Sequence, residues 1–156
     1  MSNDLALLRL AEPVDSEPVN LIEPPTELER LALVAGGWGV TPDGPTELLH
    51  LWSVEAVADA ACVEGDTAGS FDVDTMLCTD ETDGSGTCLG DSGGPLGGVG
   101  RDDRYHVFAI TSFVLFPNSI YECDQPRTAS FTLLTVEQHD WIADVAGELR
   151  FEDGAD

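Results

Sequence analysis

Ser92 lies between Asp91 and two glycines in the stretch CLGDSGGPL, residues 88–96. A serine hydroxyl is a weak nucleophile unless a base takes its proton and hydrogen-bond donors stabilise the oxyanion that forms. Gly90 and Gly93 permit backbone φ values that other residues avoid, and they leave room for a substrate carbonyl. The pattern therefore predicts either a nucleophile loop, with the N–H groups of Gly90 and Ser92 as oxyanion donors, or a plain glycine-rich surface turn.

The shorter pattern Gly-x-Ser-x-Gly also occurs at the nucleophile elbow of α/β-hydrolases. That elbow needs a strand before the serine and a helix directly after it. Here Pro95 and the run GGVG follow the serine, and neither suits a helix. The local sequence therefore excludes the elbow.

Length and charge limit the class of protein. The chain has 156 residues, of which 42% are hydrophobic, which is enough for one domain with a hydrophobic core. Its apolar runs are shorter than the roughly 18 residues of a membrane span, and MSNDLALLRLAEP lacks the basic region of a secretory signal. Thirty acids against six bases, all arginine, give a net charge of −24, which disfavours nucleic-acid binding. This charge indicates adaptation to a salty medium or simply a soluble acidic surface.

The four cysteines, Cys62, Cys78, Cys88 and Cys123, contain no CxxC pair. Without a nearby histidine ligand pattern, a zinc site is a poor interpretation. An even number indicates two disulfides and an oxidising compartment, with three pairings open from spacing alone.

Several short apolar segments separated by turns predict an all-β domain. The segments are NDLALLRL, LALVAGGWGVT, the first half of TELLHLWSVEAVADAAC, RYHVFAITSFVLF and ASFTLLTV. The residues Val136, Trp141, Ile142, Val145 and Leu149 recur at helical spacing. We therefore expect a small β-barrel that ends in an amphipathic helix.

The longer string GDSGGPL, preceded by cysteine, resembles the nucleophile loop of the trypsin/chymotrypsin-like serine proteases, peptidase family S1. Other segments resemble pieces of that family in the family's own order. These are NDLALLRL with Asp4, GGWG at 36–39, MLC at 76–78, ITSFV at 110–114 and HDWI at 139–142. The resemblance therefore extends from Asp4 to about Ile142.

The resemblance implies a chymotrypsin-like second antiparallel β-barrel with a C-terminal α-helix, plus the last strand of an otherwise missing first barrel. The expected parts are a remnant strand (1–10), an acidic proline-rich connection (11–30), the second barrel (31–134), the helix (135–150) and an acidic tail (151–156). It also implies the disulfides Cys62–Cys78 and Cys88–Cys123, each contributing roughly 2–4 kcal/mol.

For function, the resemblance implies a serine endopeptidase acting on polypeptides through an acyl-enzyme. Ser92 would attack, the amides of Gly90 and Ser92 would hold the oxyanion, and Asp4 would orient an imidazole. Asp91 resembles the buried aspartate that pairs with a new N-terminus after zymogen cleavage. No metal, organic cofactor, nucleic-acid partner or membrane partner is implied, and the expected location is secreted, extracellular or periplasmic.

Substrate-binding residues follow from the same resemblance. Gly86, six residues before the nucleophile, would form the pocket floor, and Ser112, Phe113 and Val114 would line the cleft, the last two departing from the family's Trp-Gly. Trypsin-like members carry an aspartate at the floor, so Gly86 predicts a small or medium apolar side chain in the pocket rather than a basic one. Acids close by in sequence leave an alternative open, because a shifted loop could bring one to the floor. They are Asp80, Glu81 and Asp83.

The family's chain order places the catalytic histidine before Asp4, where only Met1, Ser2 and Asn3 stand. The three histidines all lie downstream, and we expect His50 to be a surface or packing residue, His106 structural and His139 solvated. The chain is therefore predicted to lack the catalytic histidine and to be inactive alone. A truncated gene or gene model is the simplest account, and a first barrel supplied upstream or in trans is the alternative. The alternative is a non-catalytic protease homologue that acts as a binding or regulatory module.

Overall fold

The computed structural model of the protein describes residues 3–26, 28, 32–66, 68–81, 86–116, 123–125 and 127–152. Seven strands and two helices form in these ranges. They are β1 (Asn20–Leu21), β2 (Leu33–Gly37), β3 (His50–Ala56), α1 (Ala60–Gly65), β4 (Met76–Glu81), β5 (Pro95–Val99), β6 (Tyr105–Leu115), β7 (Arg127–Leu133) and α2 (Val136–Glu152). Across these residues, no helix has the length and apolar character needed to cross a bilayer.

Six of the strands close into an antiparallel barrel. The hydrogen-bonded order is β6-β5-β2-β3-β4-β7, and β7 pairs back to β6. The short β1 adds to the outside of β6 in parallel, with Asn20 opposite His106. The predicted all-β barrel with a C-terminal helix is confirmed.

The barrel core consists of small and branched side chains around two phenylalanines. Phe108 on β6 and Phe131 on β7 are fully buried, and each contributes roughly 1.5–3 kcal/mol by removal from water. The other buried members of this cluster are Leu33, Ala35, Val54, Ala56, Leu77, Leu96, Ala109 and Ala129. All six barrel strands contribute to this core, so β5 and β6, which flank the nucleophile loop, are firmly positioned.

The N-terminal segment differs from its prediction. Residues 3–10, where NDLALLRL predicted a strand, form no strand, and Leu8 is 90% exposed. A strand needs backbone hydrogen bonds to a neighbouring strand, and no described strand pairs with this segment. The pairing occurs later instead, at β1, inside the range expected to be only a connection.

The C-terminal helix forms as predicted, but its apolar face is only partly covered. Val136 and Trp141 are exposed, whereas Ile142 and Val145 are half-buried. The side chain of Leu149 lies outside the described residues. Just before the helix begins, Leu134 is buried, and its N–H donates to the Phe108 carbonyl. The helix is therefore anchored mainly where it begins.

Both disulfides form with the predicted pairing. Cys62 joins Cys78 and Cys88 joins Cys123, with Cα atoms 5.8 and 5.7 Å apart. The second bridge fixes the start of the nucleophile loop to the segment that enters β7.

Candidate active site

The nucleophile loop is a tight turn between Asp91 and Gly94. The Gly94 N–H donates to the Asp91 carbonyl at 2.9 Å, and Gly93 donates to the Thr111 carbonyl of β6 at 2.9 Å. Gly90 and Gly93 have φ of +96° and +81°, the left-handed region that the sequence indicated. Ser92 is exposed at the apex of this turn.

Two amides of this loop have no hydrogen-bond acceptor among the residues that the structure describes. The N–H groups of Asp91, Gly93 and Gly94 all donate to backbone carbonyls. Among the described residues, by contrast, nothing accepts a hydrogen bond from the amides of Gly90 or Ser92, and both residues are exposed. These are the two donors that the sequence proposed for an oxyanion hole.

The buried Asp91 carboxylate fixes the loop to the segment after β2. Asp91 is 5% exposed, and its carboxylate accepts the N–H of Gly39 at 2.8 Å and that of Cys88 at 2.9 Å. The approach is so close that a Cβ at Gly39 would lie 2.5 Å from the carboxylate, so glycine is required there. Asp91 thus satisfies two amides and joins the loop to the segment after β2.

Asp4 reaches the same part of β6. The Ser112 hydroxyl donates to the Asp4 carboxylate at 2.6 Å. Ser112 occupies a bulge in the β6–β7 ladder, where the register shifts between Thr111 and Phe113, and such bulges redirect side chains at the edges of active sites. Since Gly93 bonds to Thr111 and Asp4 bonds to Ser112, consecutive residues of β6 bring the nucleophile loop and Asp4 together.

Comparison with known proteins identifies the family. The sequence model of the Trypsin family matches residues 1–142. This chain belongs to the trypsin-like serine proteases, peptidase family S1.

Individual relatives agree with this assignment. Submandibular glandular kallikrein-9 of Rattus norvegicus is 32% identical, over 94% of this chain and 55% of its own length. Kallikrein 1-related peptidase b5 of Mus musculus is 35% identical, over 92% and 53%, and brachyurin of Leptuca pugilator 32% identical, over 94% and 62%. The solved structure of HL collagenase matches with a TM-score of 0.66 at 25% identity, over 84% of this chain and 54% of that one. The chain therefore spans about half the length of the curated relatives it matches.

The predicted substrate-binding residues of this trypsin-family chain occupy two elements. Phe113 and Val114 are half-buried on β6, following Ser112. Gly86 lies two residues before the Cys88–Cys123 bridge, at the start of the loop segment that leads to Ser92. Of the three acids near it in sequence, Asp80 is half-buried and Asp83 lies outside the described residues, whereas Glu81 is buried at 3% exposure.

A buried ion pair, whose basic member the sequence analysis missed, lies behind Gly86. Arg127 Nε is 3.3 Å from the Glu81 carboxylate, and the side chains of both are essentially inaccessible. Burial raises the pKa of Glu81 to about 7, although the hydrogen bonds from Thr87 and the charge of Arg127 oppose that rise. The available signal was the single basic residue that begins the strand-like run RTASFTL. Arginine is rarely fully buried without a partner, so a buried position there would have indicated a nearby acid.

Asp91 also lines a cavity of about 530 Å³. Of the predicted site residues, Gly86 and Asp91 line it, together with residues of the segment after β2, of β3 and of the 123–124 turn. Asp43, Asp124 and His50 are the other ionisable groups on its wall. The cavity therefore adjoins the loop's buried support and does not include Ser92.

The three histidines lie on three different elements, β3, β6 and α2. His50 is exposed on the cavity wall, and His106 Nε2 pairs with the Asp102 carboxylate at 2.8 Å. His139, expected to be solvated, is instead half-buried on α2 with its Nε2 out of contact with solvent, because the helix turns this face inward. Within the described residues, none of the three hydrogen-bonds to Ser92 or Asp4.

Proposed function

We propose that this chain carries the nucleophile side of a serine endopeptidase active site. The observation that supports this most strongly is the combination of an exposed Ser92 with the amides of Gly90 and Ser92, for which the described part of the chain offers no acceptor. Preorganised donors of this kind stabilise the charge that develops on a carbonyl oxygen under attack.

In the proposed reaction, the Ser92 Oγ attacks the carbonyl carbon of a peptide bond. Its proton passes to an imidazole, and the carbonyl oxygen becomes an anion held by the amides of Gly90 and Ser92. The imidazole then protonates the leaving amine as the C–N bond breaks, which gives an acyl-enzyme that water hydrolyses. Asp4, held by Ser112, would orient the imidazole. Gly86 would form the pocket floor, and Ser112, Phe113 and Val114 would line the cleft.

The imidazole itself would come from polypeptide beyond this chain, a first barrel supplied upstream or in trans. His50, His106 and His139 all take other positions, so the chain alone is proposed to be inactive. The domain division into a first-barrel remnant, a connection and the second barrel belongs to this proposal. The two disulfides support a secreted, extracellular or periplasmic location.

Fluorophosphonate labelling of the 156-residue chain, with free imidazole added, tests the proposal. Small imidazole can substitute for the side chain that Asp4 would orient, so labelling at Ser92 should rise with imidazole concentration. Asp4→Asn should reduce that rise, and Ser92→Ala should abolish the label. Ser53→Ala, which changes an exposed serine of β3, should leave labelling unaltered.

The second candidate function is a non-catalytic homologue that binds or regulates other proteins. It is favoured because, within the described residues, none of the three histidines hydrogen-bonds to Ser92. If Ser92 labels no faster than Ser53 at every imidazole concentration, the endopeptidase proposal is wrong and this candidate replaces it.

A further inference from the structure

The floor of the proposed substrate pocket has a carboxylate directly behind it. A Cβ built on Gly86 would lie 2.5 Å from the Glu81 carboxyl carbon and 2.6 Å from its Oε2. Glu81 comes from the end of β4 and therefore reaches this place from a different element than the loop itself. Gly86 has no side chain, and the Glu81 carboxylate fills the space that a side chain at residue 86 would take.

This carboxylate is already fully engaged. The Thr87 N–H donates to Oε2 at 2.8 Å and the Thr87 hydroxyl donates to Oε1 at 2.7 Å. Arg127 Nε approaches Oε2 at 3.3 Å. Above its pKa of about 7, Glu81 is ionised and its charge faces a cation held within the same fold.

Arg127 cannot easily move away from this place. Its Nε donates to the Thr87 carbonyl at 2.7 Å, and its Nη1 donates to the carbonyls of Cys123 and Gln125 at 2.9 and 2.8 Å. The guanidinium therefore links the loop segment leading to Ser92 to the turn before β7. A side chain fixed by three carbonyls on two segments is preorganised, so its charge stays beside the Glu81 carboxylate.

We propose that Arg127 sets the substrate class of this site: by cancelling the Glu81 carboxylate beneath Gly86, it restricts the pocket to uncharged side chains and excludes basic ones. This inference rests on the proposed endopeptidase site, since it assigns the side chain that enters that pocket. A substrate guanidinium would bring a second cation against Arg127 in a poorly solvated place, where like charges interact strongly. A substrate carboxylate would meet Glu81 in the same way.

Three probes of one shape test this assignment without any chemistry at Ser92: benzamidinium, benzamide and benzoate, which are cationic, neutral and anionic. Binding to the full 156-residue chain is followed at pH 8.5 by the amide signal of Gly86 in ¹⁵N NMR. We expect benzamide to bind the wild-type protein more tightly than either ion. Arg127→Gln should raise the affinity ratio of benzamidinium to benzamide at least tenfold.

The reciprocal variant keeps the test decisive if Arg127→Gln fails to fold. Glu81→Gln is nearly isosteric and removes the carboxylate that faces Arg127 Nε, so the ratio of benzoate to benzamide should rise at least tenfold. Arg104→Gln is the matched control, because it removes an arginine that pairs with Glu17 on the surface. It should change neither ratio more than twofold.

The assignment fails if the two charge variants alter the ratios no more than Arg104→Gln does, or if wild-type protein prefers benzamidinium. It also fails if no probe shifts the Gly86 signal in any folded variant. Each of these outcomes is independent of Ser92 labelling, so a wrong substrate class and a wrong function are distinguished.

Discussion

The nucleophile loop and the N-terminal segment are held to the barrel in very different ways. The loop is fixed by buried groups: the Asp91 carboxylate, the Cys88–Cys123 bridge and the Arg127 guanidinium. The segment from residue 3 to β1 lies on the surface, and its Asp4 depends on one side-chain hydrogen bond, to Ser112. The proposed oxyanion donors are thus supported by buried groups of the barrel, whereas the carboxylate proposed to orient the imidazole is attached from the surface.

This difference predicts a gradient of local stability. Buried, hydrogen-bonded groups open only with global unfolding, whereas exposed segments with few apolar contacts open at much lower free energy. The nucleophile loop should therefore keep its shape under conditions in which Asp4 has already left β6. The following variants measure the two ends of that gradient and the buried pair between them.

Asp91→Asn should have the largest effect. An asparagine offers one carbonyl oxygen where the carboxylate accepts two amides, so the N–H of Gly39 or Cys88 would be left buried opposite an NH₂ group. Hydrogen bonds to a charged group are worth about 1.5–3 kcal/mol each, so we expect the free energy of unfolding in urea to fall by about 3 kcal/mol. Asp43→Asn, an exposed change on the same cavity, should alter it by less than about 0.5 kcal/mol. Equal effects of the two variants would mean that Asp91 does not support the loop.

The fold was largely predictable because it depends on local patterns. β-branched and aromatic residues in RYHVFAITSFVLF specified β6, and glycines at 90 and 93 specified the left-handed turn. The disulfide pairing needed the family resemblance, since spacing alone allowed three arrangements. The strand expected in NDLALLRL did not form, because an apolar run predicts a strand only where a partner strand is available.

The charge behind Gly86, the proposed pocket floor, was not predictable from the residue at that position, although Glu81 was one of three nearby acids that a shifted loop could bring there. Gly86 carries no charge, and the carboxylate behind it comes from β4 while the cation comes from the start of β7. Only the closure of the barrel through the β4–β7 ladder, which pairs Glu81 with Arg127, brings these two residues side by side. Long-range register of this kind is not encoded in any short stretch.

The pH dependence of stability tests the buried pair, with an effect intermediate in size. The folded-state pKa of Glu81, about 7, lies above the ordinary value of 4.5. The folded protein therefore retains a proton that the unfolded chain loses, and the resulting stabilisation is full below pH 4.5 and lost as pH rises through 7. Linkage gives a loss of roughly 2–3 kcal/mol between pH 5 and 8.

Subtracting the unfolding free energy of Glu81→Gln from that of the wild-type protein at each pH isolates this contribution. Glu55→Gln, an exposed change on β3, provides the matched loss of one charge. Parallel pH profiles for wild type and Glu81→Gln would show that Arg127 keeps the carboxylate ionised down to its ordinary range.

Ser112→Ala should have the smallest global effect, because it removes one hydrogen bond whose acceptor, Asp4, is exposed and can be rehydrated. We expect a loss of about 1 kcal/mol or less in unfolding free energy. The local effect should be clearer, since the N-terminal segment would detach more often and cleavage after Arg9 by added trypsin would accelerate roughly fivefold. Ser53→Ala should not change that rate.

An unchanged rate in Ser112→Ala would instead mean that the contact of Asn3 with Gln138 and the pairing of β1 suffice to hold the segment. Asp4 would then be positioned by the contacts of Asn3 and β1, before and after it in the chain, and the two regions would be held more similarly than their burial indicates.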